Sequence, residues 1–310
     1  MLFRSLVIGE ALIDIVTASD GTTTEYVGGS PLNVAVGLGR LGRPVEFVTR
    51  IGDDTRGGAI VRHLEQSGVS LAPGSVTAQR TATAHATLDS AGSATYEFDI
   101  EWDLPSPSGS STPSLVHTGS IAAVMEPGCD VVADMLHRRR SSATISYDPN
   151  VRPVLITDKA RARQRIEHLV SISDIVKVSD EDLRWYDPDR NPVDIAREWL
   201  SRGPAMVAVT KGAEGAFAVC AAGLVEVAAR SVEVVDTVGA GDAFMAGLLD
   251  GFWSHGFLGA ESRNALHRID PEEVRNVLDN AVLMSGLTVA RAGADLPTRE
   301  TLDRAAGVRQ

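Results

Sequence analysis

The sequence predicts a three-layer α/β sandwich with a mainly parallel central sheet and a small β-sheet lid. Three observations carry this reading. Strand-like apolar runs alternate with helical patterns along most of the 310 residues. Such alternation implies a parallel sheet covered by helices on both faces. Two segments, about 11–27 and 77–103, break the pattern. In the second, Thr81, Thr83, His85 and Thr87 alternate with Ala82, Ala84, Ala86 and Leu88, the period of a half-buried strand.

The elements follow in order. Leu6-Val7-Ile8-Gly9 reads as a buried first strand, without the charged start, long apolar run and cleavage site of a signal peptide. Val45 to Thr49, Thr144 to Tyr147, Ile175 to Val178 and Met206 to Thr210 read as further strands. Helical patterns cover Arg161 to Ser171, Asp194 to Arg202 and Pro271 to Met284. After the strand at residue 81, the turn residues Asp89 to Ser93 lead into a partner strand, Ala94 to Ile100. Pro105 to Pro113, rich in Ser, Pro and Gly, reads as the linker back to the core. The whole chain, 1–310, is expected to form one domain.

Composition narrows the function. There are 29 basic and 41 acidic residues, a net charge of −12, which argues against non-specific nucleic-acid binding. The run His137-Arg138-Arg139-Arg140 ends a helical stretch that starts near Glu126-Pro127, so it complements the helix dipole. Cys129 and Cys220 are the only cysteines, which fits a reducing, cytoplasmic setting. No stretch approaches a membrane span, and the seven histidines show no metal-ligand spacing.

The most informative segment is Val235-Asp236-Thr237-Val238-Gly239-Ala240-Gly241-Asp242-Ala243-Phe244. Small residues fall where a helix should begin, and helix N-termini bind anions through unpaired N–H groups. Asp242 sits beside that nest. An anion hole next to a base describes phosphoryl transfer to a hydroxyl. Aspartate is also an ordinary residue at a helix start. Gly28-Gly29-Ser30-Pro31-Leu32-Asn33 offers Ser30 as N-cap and Pro31 as first helical residue, while the glycines let backbone approach a ligand. Asp14, inside the apolar run Ala11 to Val16, is either on a solvent face or positioned for a ligand. Gly37-Leu38-Gly39-Arg40-Leu41-Gly42 satisfies a dinucleotide fingerprint, but a helix precedes it and a strand follows. That order is reversed, so the glycines read as helix packing and a helix end.

The ten-residue segment and Gly28 to Ala35 resemble the two signatures of the ribokinase-like (PfkB) carbohydrate kinases. The resemblance covers nearly the whole chain. It implies ATP as phosphoryl donor, magnesium (Mg2+) and a cytoplasmic enzyme acting on a small sugar, with potassium (K+) as an activator. By resemblance Asp242 is the base, and Gly239, Ala240 and Gly241 form the anion hole. Asp14, Gly28, Gly29 and Asn33 hold the sugar. Arg152, in Asp148-Pro149-Asn150-Val151-Arg152, lies near acceptor and phosphate. Lys177, Ser179, Thr210, Gly212, Gly215, Asn280 and Gly293 border the nucleotide. Ser179 and Asp182 stand where the family usually has Asn-x-x-Glu, so Asp182 would meet magnesium through water. Asp236 and the Val238 carbonyl match a monovalent-cation loop. No nucleic acid or membrane partner is expected, and a homodimer through the lid is one expected assembly.

Gly9 to Asp14 and Trp102-Asp103-Leu104-Pro105 resemble fructokinases most, which implies D-fructose as acceptor. Kinases of 2-keto-3-deoxygluconate or ribose stay open as alternatives, as does a non-catalytic sugar-binding regulator. Glu97, Asp99 and Glu101 alternate on one face of the lid strand. If they face the site, they disfavour an anionic sugar.

Overall fold

The computed structural model describes residues 4–88, 94–104 and 112–307. The strands are β1 (Ser5–Ile8), β2 (Leu12–Thr17), β3 (Thr23–Gly28), β4 (Val45–Val48), β5 (Ile51–Gly52), β6 (Val69–Leu71), β7 (Val76–Ala78), β8 (Thr83–Leu88), β9 (Ala94–Asp99), β10 (Leu115–Gly119), β11 (Thr144–Asp148), β12 (Ile175–Ser179), β13 (Met206–Thr210), β14 (Ala216–Cys220) and β15 (Gly223–Val227). The helices are α1 (Ser30–Arg40), α2 (Thr55–Gln66), α3 (Gly128–Arg139), α4 (Lys159–Ile172), α5 (Asp180–Tyr186), α6 (Pro192–Ser201), α7 (Ala240–Ser254), α8 (Arg263–Leu266), α9 (Pro271–Val289) and α10 (Arg299–Ala306).

Among the described residues the main sheet has nine strands in the order β15-β14-β13-β12-β11-β10-β1-β4-β6. Pairing is parallel from β6 to β13, and β14 and β15 complete the edge as antiparallel strands. Strands such as β10 and β11 are buried along their whole length, as expected where helices cover both faces. One face packs on α1, α7 and α9 through residues such as Leu32, Leu248 and Val277. The other packs on α3, α4 and α6 through Val132, Ile166 and Trp199. Each fully buried aliphatic side chain contributes about 1.5–3 kcal/mol.

The two segments that broke the sequence pattern pair with each other. They form a four-stranded sheet, β3-β2-β8-β9, in which β2 and β8 run parallel. Leu12 and Ala84 of this sheet pack on Ile121 of the main body. The expected turn Asp89 to Ser93 and most of the linker Pro105 to Pro113 lie outside the described residues.

The chain runs outward from β1 through β4 to β6, then returns to β10 on the other side of β1. That reversal makes a crevice at the carboxyl ends of β1 and β10, where open α/β sheets bind ligands. The fingerprint glycines play the packing role. A side chain at Gly37 would meet Ala246 and Leu296, and Gly42 adopts φ 77° just past α1. Among the described residues no helix is long and apolar enough to cross a membrane.

Candidate active site

A cavity of about 1040 Å³ opens over the carboxyl ends of the central strands. Glu10 follows β1, Ser120 follows β10, Arg152 follows β11, and Ser179 and Thr210 end β12 and β13; all line it. Leu12, Asp14, Ala84 and Phe98 of the small sheet form another wall.

Asp242 lies in the first turn of α7 and is buried. Ser30 Oγ donates to its Oδ1 at 2.7 Å and Asn33 Nδ2 to its Oδ2 at 2.8 Å. Both donors belong to the first turn of α1, so two helix N-termini converge on one carboxylate, the favourable end for an anion. Ser30 is not the N-cap that the sequence suggested. Gly29 takes that place at φ 116° with no side-chain cap, and Ser30 begins the helix. The hydroxyl therefore reaches across to Asp242. A side chain at Gly29 would come within 2.5 Å of the Glu10 carbonyl oxygen, so only glycine fits.

The start of α7 holds unpaired donors. Gly239 turns the chain at φ 75°. The Ala240 N–H donates to the Thr237 carbonyl at 3.2 Å, and the Ala243 N–H to the Gly239 carbonyl at 2.8 Å. The N–H groups of Gly239, Gly241 and Asp242 have no partner among the described residues. The open donors thus come from Gly239, Gly241 and Asp242, while the Ala240 N–H is held inside the turn. Beneath them lies a buried ion pair, Lys177 Nζ to Asp148 Oδ2 at 3.0 Å. A Cβ at Gly241 would approach that Nζ to 2.9 Å. Burial alone would lower the Lys177 pKa, but Asp148, Asp182 and Asp242 outweigh it and raise it. A fixed cation therefore sits under an open anion nest. Burial pushes Asp148 up to about 6 against the opposing pull of Lys177.

On the wall formed by the small sheet, burial pushes Asp14 up to about 6, and Arg152 draws it back. Burial likewise raises Glu10 to about 7, although its Oε2 accepts the Ala122 N–H at 3.0 Å. Arg152 Nη1 is anchored on Asn150 Oδ1 at 2.7 Å and on the carbonyls of Asn150 and Val151. Its remaining donors have no partner among the described residues.

The model of the pfkB family carbohydrate kinases matches residues 3–300. The chain belongs to the PfkB carbohydrate kinase family. It is 37% identical over 284 residues to a fructokinase of Rhizobium leguminosarum bv. trifolii, covering 87% of this chain and 85% of that one. It is 34% identical over 315 residues to a fructokinase of Escherichia coli, covering 96% and 97% of the two chains. Among solved structures, a fructokinase of Xylella fastidiosa with bound ATP superposes with a TM-score of 0.83 at 25% identity, over 99% of this chain and 100% of that one. An aminoimidazole riboside kinase of Salmonella enterica shares the fold at a TM-score of 0.78 and 24% identity, over 97% and 99% of the two chains.

In this PfkB-family site Asp14, Gly29, Asn33, Arg152, Lys177, Ser179, Asp182, Thr210, Gly212, Gly215, Val238 and Gly239 to Asp242 all line the one cavity. The turn after β13 is also a hairpin turn, since β14 pairs antiparallel with β13. Asp182 caps α5: it accepts the Ser179 N–H at 3.2 Å and the Val151 N–H at 2.9 Å. Four expected contacts lie off the cavity wall. Gly28 packs behind Asp14, where a Cβ would clash with the carboxylate. Asn280 Nδ2 donates to the Gly247 carbonyl at 2.7 Å, tying α9 to α7. Asp236 clasps two loops by accepting the Val238 N–H at 3.0 Å and the Gly293 N–H at 2.8 Å.

The acids of the lid strand do not face the site. Phe98 faces the cavity, and alternation puts Glu97 and Asp99 on the exposed side. Asp99 pairs with Arg80 at 2.8 Å, and the Glu101 side chain is 71% exposed. Sequence reading also missed the wall of Val232, Val234, Val282 and Val289. Val234 is 61% exposed in an irregular segment, and an apolar run with no strand or helix to join was the available signal.

Proposed function

We propose that this protein transfers the γ-phosphoryl group of ATP to a hydroxyl of a neutral sugar, D-fructose above the other candidates. The placement of Asp242 carries the reading: a buried carboxylate held between Ser30 and Asn33, beside the open N–H groups of Gly241 and Asp242. Asp14 and Arg152 bind and orient the sugar. Asp242 takes the proton of the acceptor hydroxyl, whose oxygen attacks the γ-phosphorus. The bond to the bridging oxygen breaks and ADP leaves. The nest and Lys177 offset the charge that develops on the transferred group.

The small sheet acts as a lid that excludes water. Valines 232, 234, 282 and 289 suit an adenine face. Asp180, Glu181 and Asp182 line the rim with carboxylates. Asp182, whose oxygens also accept the Val151 and Ser179 N–H groups, would meet a hydrated magnesium ion through water. Bound there, magnesium would neutralise phosphate charge. The loop clasped by Asp236 fits the potassium activation that the resemblance implies.

Two points favour a neutral ketose. The curated relatives quoted above are fructokinases. Arg152 already faces two carboxyl groups, Glu10 and Asp14, so a sugar acid would add a third. A coupled ATP-consumption assay with D-fructose, 2-keto-3-deoxygluconate and D-ribose tests this. The highest kcat/KM is expected with D-fructose. A higher value with the sugar acid would overturn the acceptor assignment and leave the kinase. Sugar binding with no ATP consumption would favour the regulator instead.

A further inference from the structure

We propose that His137 and His168 form a surface site for one divalent transition-metal ion, remote from the phosphoryl-transfer chemistry. His137 lies in the last turn of α3 and His168 in the last turns of α4. Their Nε2 atoms are 3.0 Å apart, and both residues are exposed. The ring centroids are 5.0 Å apart and the ring planes are tilted by 38°.

Imidazole nitrogen binds zinc at about 2.0–2.1 Å, so two adjacent nitrogens on one ion lie about 3–3.4 Å apart. The observed spacing needs at most a few tenths of an ångström of adjustment. With each ring proton on Nδ1, both Nε2 atoms are left as acceptors that can take a metal. Without metal, the same spacing serves a hydrogen bond between the rings.

The pair is preset by packing. Arg165, one turn before His168, bridges to Asp130 of α3 at 2.7 Å and to Glu126 just before it at 3.5 Å. These contacts fix α3 against α4. Imidazole pairs suit zinc, nickel and copper, whereas magnesium prefers hard oxygen donors. The ion that serves phosphoryl transfer is therefore not the ion that this site selects. A bound metal would clip α3 to α4 and stabilise the folded chain, because it binds only the folded state.

The test is calorimetric titration of the full chain, free of any histidine tag, with Ni2+ and with Zn2+. One equivalent should bind, Mg2+ should not compete, and Tm should rise with added metal. His137→Ala and His168→Ala should each weaken binding by about tenfold or more, since losing a ligand should cost at least what losing a supporting hydrogen bond costs. Both variants replace exposed helical residues, so circular dichroism should report an unchanged fold. ATP-dependent sugar phosphorylation should be equal in all three proteins, which separates this proposal from the kinase reading. Absence of binding, or equal affinity in wild type and both variants, would overturn it.

Discussion

At the scale of single residues, Asp242 is defined by its two donors. Each carboxylate oxygen already accepts one bond from α1. Asp242→Asn can turn its NH2 toward Ser30, whose hydroxyl also accepts, and keep its oxygen on Asn33. The fold should survive while the proton acceptor is lost. We expect kcat to fall by about a hundredfold or more, with the sugar KM little changed. Turnover near wild type would remove Asp242 from the role of base. Asp14 supplies a pH test. Its carboxyl is raised to about 6 by burial, and Arg152 lowers it. Below that pH the group is protonated and loses an acceptor for sugar hydroxyls. The sugar KM should therefore rise as pH falls from 7 toward 5, while the ATP KM holds. Arg152→Met removes the lowering charge, so the inflection should move to higher pH. A sugar KM that is flat across this range would exclude Asp14 from sugar binding.

At the scale of elements, the entrance of α7 is the proposed phosphate site. Its first turn offers two open N–H groups above Lys177. A Cβ at Gly241 would already crowd the Lys177 ammonium at 2.9 Å. Gly241→Val adds two more methyl groups in the same place. Turnover should drop by about a hundredfold, the scale of losing an oxyanion donor, with circular dichroism unchanged. A folded variant with undiminished turnover would place the phosphate elsewhere. Strand β9 teaches the opposite lesson. Its alternation was legible, but alternation alone does not say which face looks inward. Phe98, not the acids, was turned to the cavity.

At the scale of the molecule, the site exists because the chain reverses direction at β1. Residues from β1, β10, β11, β12 and β13 reach one crevice only because those strands are parallel and in register. The small sheet rests on the main body through the cluster of Leu12, Ala84 and Ile121, and through Ile13 and Ile15 of β2, which join the large core. The deep core on both faces of the main sheet fixes the frame on which the site is built.

The sequence by itself determined the alternation of strands and helices, the two segments set apart from it, and the two glycine-containing helix starts. Each is a local signal: periodicity, missing side chains, or a helix entrance that leaves donors free. It also placed Asp14, Asn33, Arg152 and Asp242 among the candidates, because polar groups in such settings need a reason. Only the tertiary structure decided that Ser30 caps nothing and instead holds Asp242, 212 positions away in the chain. It alone separated Asn280, Gly293, Gly28 and Asp236 from the cavity wall and brought valines from distant segments onto it. Hydrogen bonds between helices and the inward face of a strand depend on what packs opposite, and that partner is not written beside them in the chain.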